Sequence, residues 1–285
     1  ALGQGIFHGI SAFNNAGMSI STTQIIDYAG DPVIILGTTL LIILGGIGFS
    51  VIHDVRQKRN WRHLMPYTRI VIIGTLVLNL TGFCLIWLME RNNPATFAPL
   101  SISDQALAAW LQTITTRTAG FSSVIISELE DSTTVLMMLF MFIGGGSLSL
   151  ASGIKIGTFI VLMAAARAYI FQHPQPTLLN RAISEDTVQK SLALLLITSL
   201  LIFFATLLMT IFETAPFISI LFEVVSAVST TGLSRDLTPT LSPPSQILVI
   251  LLMFVGRLGP LALIYSLSAK RRSHVRYPET TFQVG

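Results

Sequence analysis

The sequence predicts an all-α polytopic membrane protein assembled from tandem units, each a span, a short re-entrant helix and a second span. Scarce charge, five apolar stretches long enough to cross a bilayer, and a glycine motif that recurs three times predict it. Of 285 residues, 52% are hydrophobic and 11% charged, against roughly a quarter charged in a soluble domain. That balance argues against a soluble enzyme, a nucleic-acid binder or a disulfide scaffold. The formal charge of +3 matters by placement, because in a polytopic chain the loops carry the information. The single cysteine, Cys84, lies in an apolar run and has no partner for an internal disulfide. Ala1 and the residues after it show none of the basic, apolar and small-residue zones of a targeting segment, so the sequence is expected to begin inside a longer protein.

In chain order the elements read as a short helix at 3–13, a span at 33–52, a span at 69–89, a short helix at 104–115, a long apolar stretch at 132–166, a span at 191–212, a short helix at 216–228 and a span at 245–269. At about 1.5 Å per residue each short helix reaches under about 20 Å, against a hydrocarbon core of about 30 Å. These three must lie in the interface or enter the membrane and turn back.

Basic residues give the orientation. Arg56, Lys58, Arg59, Arg62 and Arg69 fall in segment 53–69; Arg167, Arg181 and Lys190 in 167–190; and Lys270, Arg271, Arg272 and Arg276 in the tail. The opposite side keeps Arg91, Arg117 and Arg235, while Lys155 and Arg257 sit inside spans. The positive-inside bias puts the three basic segments in the cytoplasm, so all three short helices start from the outer side.

Three segments align on one glycine. They are Ser11-Ala12-Phe13-Asn14-Asn15-Ala16-Gly17-Met18-Ser19, Ile114-Thr115-Thr116-Arg117-Thr118-Ala119-Gly120-Phe121-Ser122 and Ser226-Ala227-Val228-Ser229-Thr230-Thr231-Gly232-Leu233-Ser234. The glycines are 103 and 112 residues apart, each follows a short helix, and two spans separate consecutive copies, so the units run in parallel topology. Non-helical backbone at membrane depth survives only where protein or a water-filled path satisfies it. A glycine strand there can turn its carbonyls to a dehydrated cation, with the partially negative end of the short helix directed to the same place. One such Ala-Gly or Thr-Gly pair is ordinarily a turn or a packing site; three matched copies on one side favour a cation filter.

At these residues the sequence resembles the Trk/Ktr/HKT superfamily of potassium transporters, most closely the bacterial Ktr and Trk membrane subunits. The three motifs resemble the second, third and fourth filters of that family. Gly256-Arg257-Leu258-Gly259-Pro260 is similar to its arginine-bearing last helix, and Arg276-Tyr277-Pro278-Glu279 to its C-terminus. The resemblance implies four repeats arranged pseudo-fourfold around a cation pore, of which this chain carries the second at 1–52, the third at 53–170 and the fourth with the cytoplasmic tail at 171–285. The first repeat and its filter are absent, and three repeats do not close a four-sided pore. By the same resemblance, carbonyls of Asn15, Ala16, Gly17, Met18, Thr118, Ala119, Gly120, Phe121, Thr230, Thr231, Gly232 and Leu233 line the path of potassium, which is transported and is not an enzyme cofactor. A homodimer with one pore per subunit, a cytoplasmic nucleotide-binding ring as regulatory partner, and a bacterial cytoplasmic membrane as location are implied too, with no role for nucleic acid.

Within 132–166 the run Gly144-Gly145-Gly146-Ser147-Leu148-Ser149-Leu150-Ala151-Ser152-Gly153 disfavours a continuous helix, each glycine costing about 1 kcal/mol relative to alanine. A broken helix at mid-membrane is expected; a Gly/Ser stripe for close helix packing is the alternative. The resemblance makes this stretch, ending in Gly153-Ile154-Lys155, an intramembrane gate under the filter, with Leu148 and Leu150 where the family usually has smaller or polar residues. Arg257 needs a compensating environment at mid-span. It either binds loop carbonyls and opposes cations below the filter or packs without touching conduction. Lys155 snorkels to the interface or joins the gate, and Glu223 either bonds nearby backbone or adds a negative field.

His8, His53, His63, His173 and His274 have no metal-ligand spacing, and Cys-x-x-Cys, Gly-x-x-x-x-Gly-Lys and Gly-x-Ser-x-Gly constellations are missing. A membrane-embedded enzyme or polar-substrate carrier would need acids within the spans, and Glu90 and Glu213 are expected at the outer boundary, solvated. Potassium is favoured over a sodium-permeable or sodium-coupled alternative.

Overall fold

The computed structural model describes residues 2–20 and 25–259. The tail cations Lys270, Arg271, Arg272 and Arg276, the Arg276–Glu279 motif, Pro260, and the last residues of the 245–269 span lie outside the described residues. Ten α-helices and one two-stranded hairpin are described. They are α1 (Leu2–Phe13), α2 (Pro32–Ile47), α3 (Phe49–Lys58), α4 (Pro66–Glu90), α5 (Ile102–Thr115), α6 (Asp131–Phe142), α7 (Ile156–Ile170), the antiparallel strands β1 (Thr177–Leu178) and β2 (Arg181–Ala182), α8 (Glu185–Phe212), α9 (Phe217–Ser229) and α10 (Pro243–Leu258). The short helices expected at 3–13, 104–115 and 216–228 are α1, α5 and α9.

Local chemistry sets the boundaries. Asp31 accepts from the amides of Val33 and Ile34 at 2.8 and 3.2 Å and caps α2, with Pro32 in the first turn where a missing amide does no harm. Ser101 caps α5 through the Asp104 amide at 3.2 Å. The expected span 33–52 is not one helix. At Gly48, whose φ is +102°, α2 stops and α3 leaves at 94°. A straight continuation through Gly48 is barred by the left-handed backbone that glycine permits there. Beyond the bend Asp54 is buried; it accepts from the Met65 amide at 2.8 Å and pairs with Lys58 at 3.0 Å, tying α3 to the start of α4.

Among the described residues α4 and α8 are long and apolar enough to cross a membrane unaided, and the bent α2–α3 pair makes a third span if counted as one. The 132–166 stretch is broken, as its glycines required. The interruption is wider than the glycine run, covering 143–155 between α6 and α7, and Ile143 and Ile154 pair across its neck as a parallel bridge.

The units interlock in chain order. Ala12, Ile35 and Ile42 of α1 and α2 pack with Leu111 and Ile114 of α5 and with Phe121. Ile86, Ala108, Met137 and Met141 of α4, α5 and α6 pack with Phe222 and Val225 of α9. Met209, Val224 and Leu252 close α8, α9 and α10. Each short helix thus touches its own spans and a neighbouring unit. Lipid-facing positions such as Leu196, Leu200, Phe203 and Leu207 of α8 stay exposed, since apolar surface gains little by burial against protein in a bilayer.

Two expectations about charges are corrected. Arg117 is not an outer-loop cation: it is buried at 7% exposure, behind the strand that follows α5. Glu90 is not solvated: it is fully buried, accepting from Asn93 Nδ2, Thr96 Oγ1 and the Glu130 amide at 2.8, 2.8 and 2.9 Å, so it staples α4 to the start of α6. Glu213 is part-buried; Ser242, through its hydroxyl and amide at 2.6 and 2.8 Å, and Ser245 hold its carboxyl below the usual range.

Candidate functional site

Each of the short helices α1, α5 and α9 ends in the same backbone signature. Two residues before each glycine a non-glycine residue takes a positive φ: Asn15 at +49°, Thr118 at +66° and Thr230 at +50°. The glycines follow at +64° for Gly17, +83° for Gly120 and +84° for Gly232. Only glycine adopts such angles without strain, while Asn and Thr must be held there by their surroundings. After α1 and α9 the holding is identical: Asn15 N bonds Ala12 O and Ala16 N bonds Ser11 O, just as Thr230 N bonds Ala227 O and Thr231 N bonds Ser226 O. This is the pattern that closes a helix on a left-handed residue. After α5 the pattern changes, and Ala119 N bonds Thr115 O instead.

The three glycine strands abut. A β-carbon on Gly17 would fall 2.6 Å from the Ala119 carbonyl oxygen and 2.8 Å from Gly120 Cα, and one on Gly120 would fall 2.5 Å from the Thr231 oxygen. Gly120 is buried in the middle; Ala16 and Gly232 are exposed on the flanks. Both flanks face a cavity of about 540 Å³, also lined by Asn14, Thr230, Leu233 and Arg257. The strands therefore form an arc with one open side, and the C-terminal ends of α1, α5 and α9 meet at that arc. Phe121 and Leu233 bury their side chains in the packed units and anchor two strands. The Met18 carbonyl accepts from Ser11 Oγ at 2.9 Å and so turns toward its own pore helix.

Two close approaches escaped sequence reading. A β-carbon on Gly45 of α2 would lie 1.8 Å from the Phe13 oxygen, and one on Gly256 of α10 would lie 2.0 Å from the Val228 oxygen. Phe13 and Val228 each stand four residues before their strand glycine. The signal was a glycine in each second span, 28 and 24 residues after the strand glycine.

The 143–155 segment is tied to all three units. Gly146 N and Leu150 N bond the Gly46 and Gly45 oxygens at the end of α2, at 2.8 and 3.2 Å, and Leu148 O accepts from Phe49 N at 3.1 Å. Ser147 N bonds the Tyr67 hydroxyl at 2.8 Å. Ser152 N bonds Thr118 Oγ1 at 3.1 Å, a direct link from the loop to the central glycine strand. Carbonyls freed by the broken helix are met by three cations. Arg117 reaches the Gly144 oxygen at 3.1 Å, Arg257 the Leu150 oxygen at 2.6 Å and Ser152 Oγ at 3.4 Å, and Lys155 the Ala151 oxygen. Gly144, Gly145 and Gly146 are buried, with a β-carbon on Gly145 meeting the Gly46 oxygen at 2.5 Å. Leu148 is 76% exposed, Ser149 and Leu150 are part-buried, and Gly153 has φ +71°. Glu223 is buried and accepts from Ser234 Oγ at 2.8 Å and from the Thr238 hydroxyl, which fixes the turn after the third strand.

Residues 1–274 match the family model for the TrkH cation transport protein. The chain is 39% identical to the Ktr system potassium uptake protein B of Bacillus subtilis, over 96% of this chain and 62% of that protein. It is 38% identical to the protein of the same name from Vibrio alginolyticus, over 98% and 62%, and 30% identical to the potassium/sodium uptake protein NtpJ of Enterococcus hirae, over 98% and 63%. The chain thus spans about three-fifths of the length of these curated relatives. Among solved structures, that of the potassium transporter TrkH from Vibrio parahaemolyticus superposes with a TM-score of 0.76, at 19% identity, over 93% of this chain and 58% of that one, and shows the same fold.

Proposed function

We propose, from the premise that this chain belongs to the TrkH family of cation transport proteins, that it forms most of the wall of a potassium uptake path. The observation that carries the reading is the triple left-handed signature at Asn15 and Gly17, Thr118 and Gly120, and Thr230 and Gly232, on strands that abut at the ends of three pore helices. Neighbouring carbonyls, negative helix ends and a left-handed backbone suit the replacement of a cation's hydration shell. The open side of the arc is where the resemblance implies a further filter.

The 143–155 loop is the barrier below the filter. Its contacts with all three units make it a plug whose closed position is held by Arg117, Arg257 and Lys155, and the positive charge of Arg257 on the cavity opposes cations entering from inside. The protein works as a homodimer in a bacterial cytoplasmic membrane, with segments 53–69 and 167–190 cytoplasmic, and a nucleotide-binding cytoplasmic subunit biases the loop.

Uptake of potassium and sodium by the full-length gene product in liposomes tests this. Gly120→Ser must lower potassium-over-sodium discrimination at least tenfold, because its side chain meets both a positive φ and the Thr231 carbonyl. Gly232→Ser should act less, since among the described residues only Gly120 Cα, at 4.0 Å, lies near it. Unchanged discrimination in both would overturn the filter. Equal entry of the two ions into wild-type vesicles would favour the sodium-permeable reading, which the NtpJ likeness supports.

A further inference from the structure

Behind the first and second strands, apart from the larger cavity, lies a small, partly open space of about 20 Å³ between α2, α4 and the loop, lined in part by Asn15, Gly46, Thr75, Asn79, Arg117 and Gly145. A water needs roughly 10–15 Å³ measured in this way. Two of the side chains lining the space carry a buried polar atom, Asn15 Oδ1 and Thr75 Oγ1, that has no hydrogen-bond partner among the described residues. Asn15 is 5% and Thr75 9% exposed. The other end of the Asn15 amide is engaged, Nδ2 donating to the Arg117 oxygen at 3.4 Å. Thr75 is unlike Thr113, Thr198 and Thr206, whose hydroxyls bond the carbonyl four residues back.

We infer that this space holds one structural water, donating to Asn15 Oδ1 and exchanging a hydrogen bond with Thr75 Oγ1. The Arg117 guanidinium on the wall excludes a cation. The Asn15 oxygen, an acceptor, and the small volume exclude an anion, whereas water supplies both donors and acceptors. The water pins Asn15, the left-handed corner of the first strand, to α4 of the next unit, at a point where the described residues leave two polar groups without partners. The inference stands whichever ion the strands pass.

Thermal melting of the full-length protein in detergent gives opposite signs for the two states of the space. If it is dry, Thr75→Val replaces an orphaned hydroxyl by a methyl group of the same shape and raises the melting temperature or leaves it unchanged. If water is bound, the valine deprives it of a partner, and the midpoint falls by about 2–4 °C, while Thr75→Ser stays near wild type. A fall with Val and not with Ser supports the site; a rise, no change, or an equal fall with Ser overturns it. Should Thr75→Val fail to assemble, a density map of the wild-type protein fine enough to show other buried waters decides. A peak within about 2.7–3.2 Å of both oxygens supports the water, and its absence there refutes it.

Discussion

The first and third glycine units and the second solve one packing problem in different ways. In the first and third, the carbonyl that ends the pore helix presses on a glycine of the second span, Phe13 O on Gly45 and Val228 O on Gly256. The helix pair is stapled backbone to backbone. In the second unit the equivalent span is cut at 143–155, and a β-carbon on Gly144 would fall 1.8 Å from the Ser152 oxygen of its own loop. There the second span folds back on itself, and Arg117, which occupies the place of Asn14 and Ser229 in the aligned motifs, reaches across to hold its first carbonyl. Two units are joined backbone to backbone; in the middle one the span is broken, and Arg117 and Lys155, with Arg257 from α10, meet carbonyls that a continuous helix would have bonded. On the proposed reading the first and third units are frame and the loop is the movable part.

The largest expected effect falls on the frame. Gly45→Ala or Gly256→Ala puts a β-carbon into a backbone carbonyl that cannot step aside, at a cost of about 3 kcal/mol or more for forced overpacking, so assembled protein recovered by size exclusion should fall close to zero. Gly37→Ala, on the same helix as Gly45 with nothing within 4 Å among the described residues, should be recovered as wild type. Gly144→Ala faces an equally short approach, but to a loop carbonyl, so most of the protein should still assemble while flux changes. If Gly144→Ala is lost as completely as Gly45→Ala, the loop is as rigid as the frame and the contrast fails.

The cations come next. Arg117 is buried, and removing it orphans the Gly144 oxygen. Arg117→Met should therefore destabilise by about 1–3 kcal/mol, read as a lower melting temperature. Arg257 is exposed to the open cavity, so Arg257→Gln should leave melting nearly unchanged and raise flux per molecule, because its charge opposes cations there. Reversed results would make Arg257 the strut and Arg117 the barrier.

How much of this was legible in sequence follows the same division. The helices and the break are written in hydropathy and glycine: α1, α5 and α9 were visible because an apolar run ended too soon, and 143–155 because four glycines and three serines interrupted one. The motif also located the glycine strands, since positive φ and Gly go together. The bend at Gly48 was not legible, because Gly45, Gly46 and Gly48 inside an unbroken apolar run read as small packing residues of an ordinary span. Arg117 was misplaced because hydropathy assigns a cation to the nearest loop, whereas its burial depends on carbonyls that only the broken helix exposes. Glu90 was misplaced for a like reason: its partners Asn93, Thr96 and Glu130 come together only when the outer loop folds back.

The smallest expected effect sits where movable part and frame touch. Thr118 has two tasks: its backbone holds the left-handed corner of the central strand, and its hydroxyl accepts from Ser152 N at 3.1 Å. Thr118→Val keeps the shape and removes the acceptor, leaving the Ser152 amide unpaired when the loop is closed and free to find water when it moves. One hydrogen bond of this kind contributes about 0.5–1.5 kcal/mol, which shifts a closed-to-open equilibrium about two- to tenfold. Flux per molecule should rise by that factor, with Thr118→Ser near wild type and the potassium-to-sodium ratio little changed, since the carbonyls set it. Single-channel or stopped-flow liposome flux reads the factor. If the ratio collapses while total flux stays constant, the hydroxyl acts on the strand and not on the loop, and the link from Ser152 to Thr118 is part of the frame after all.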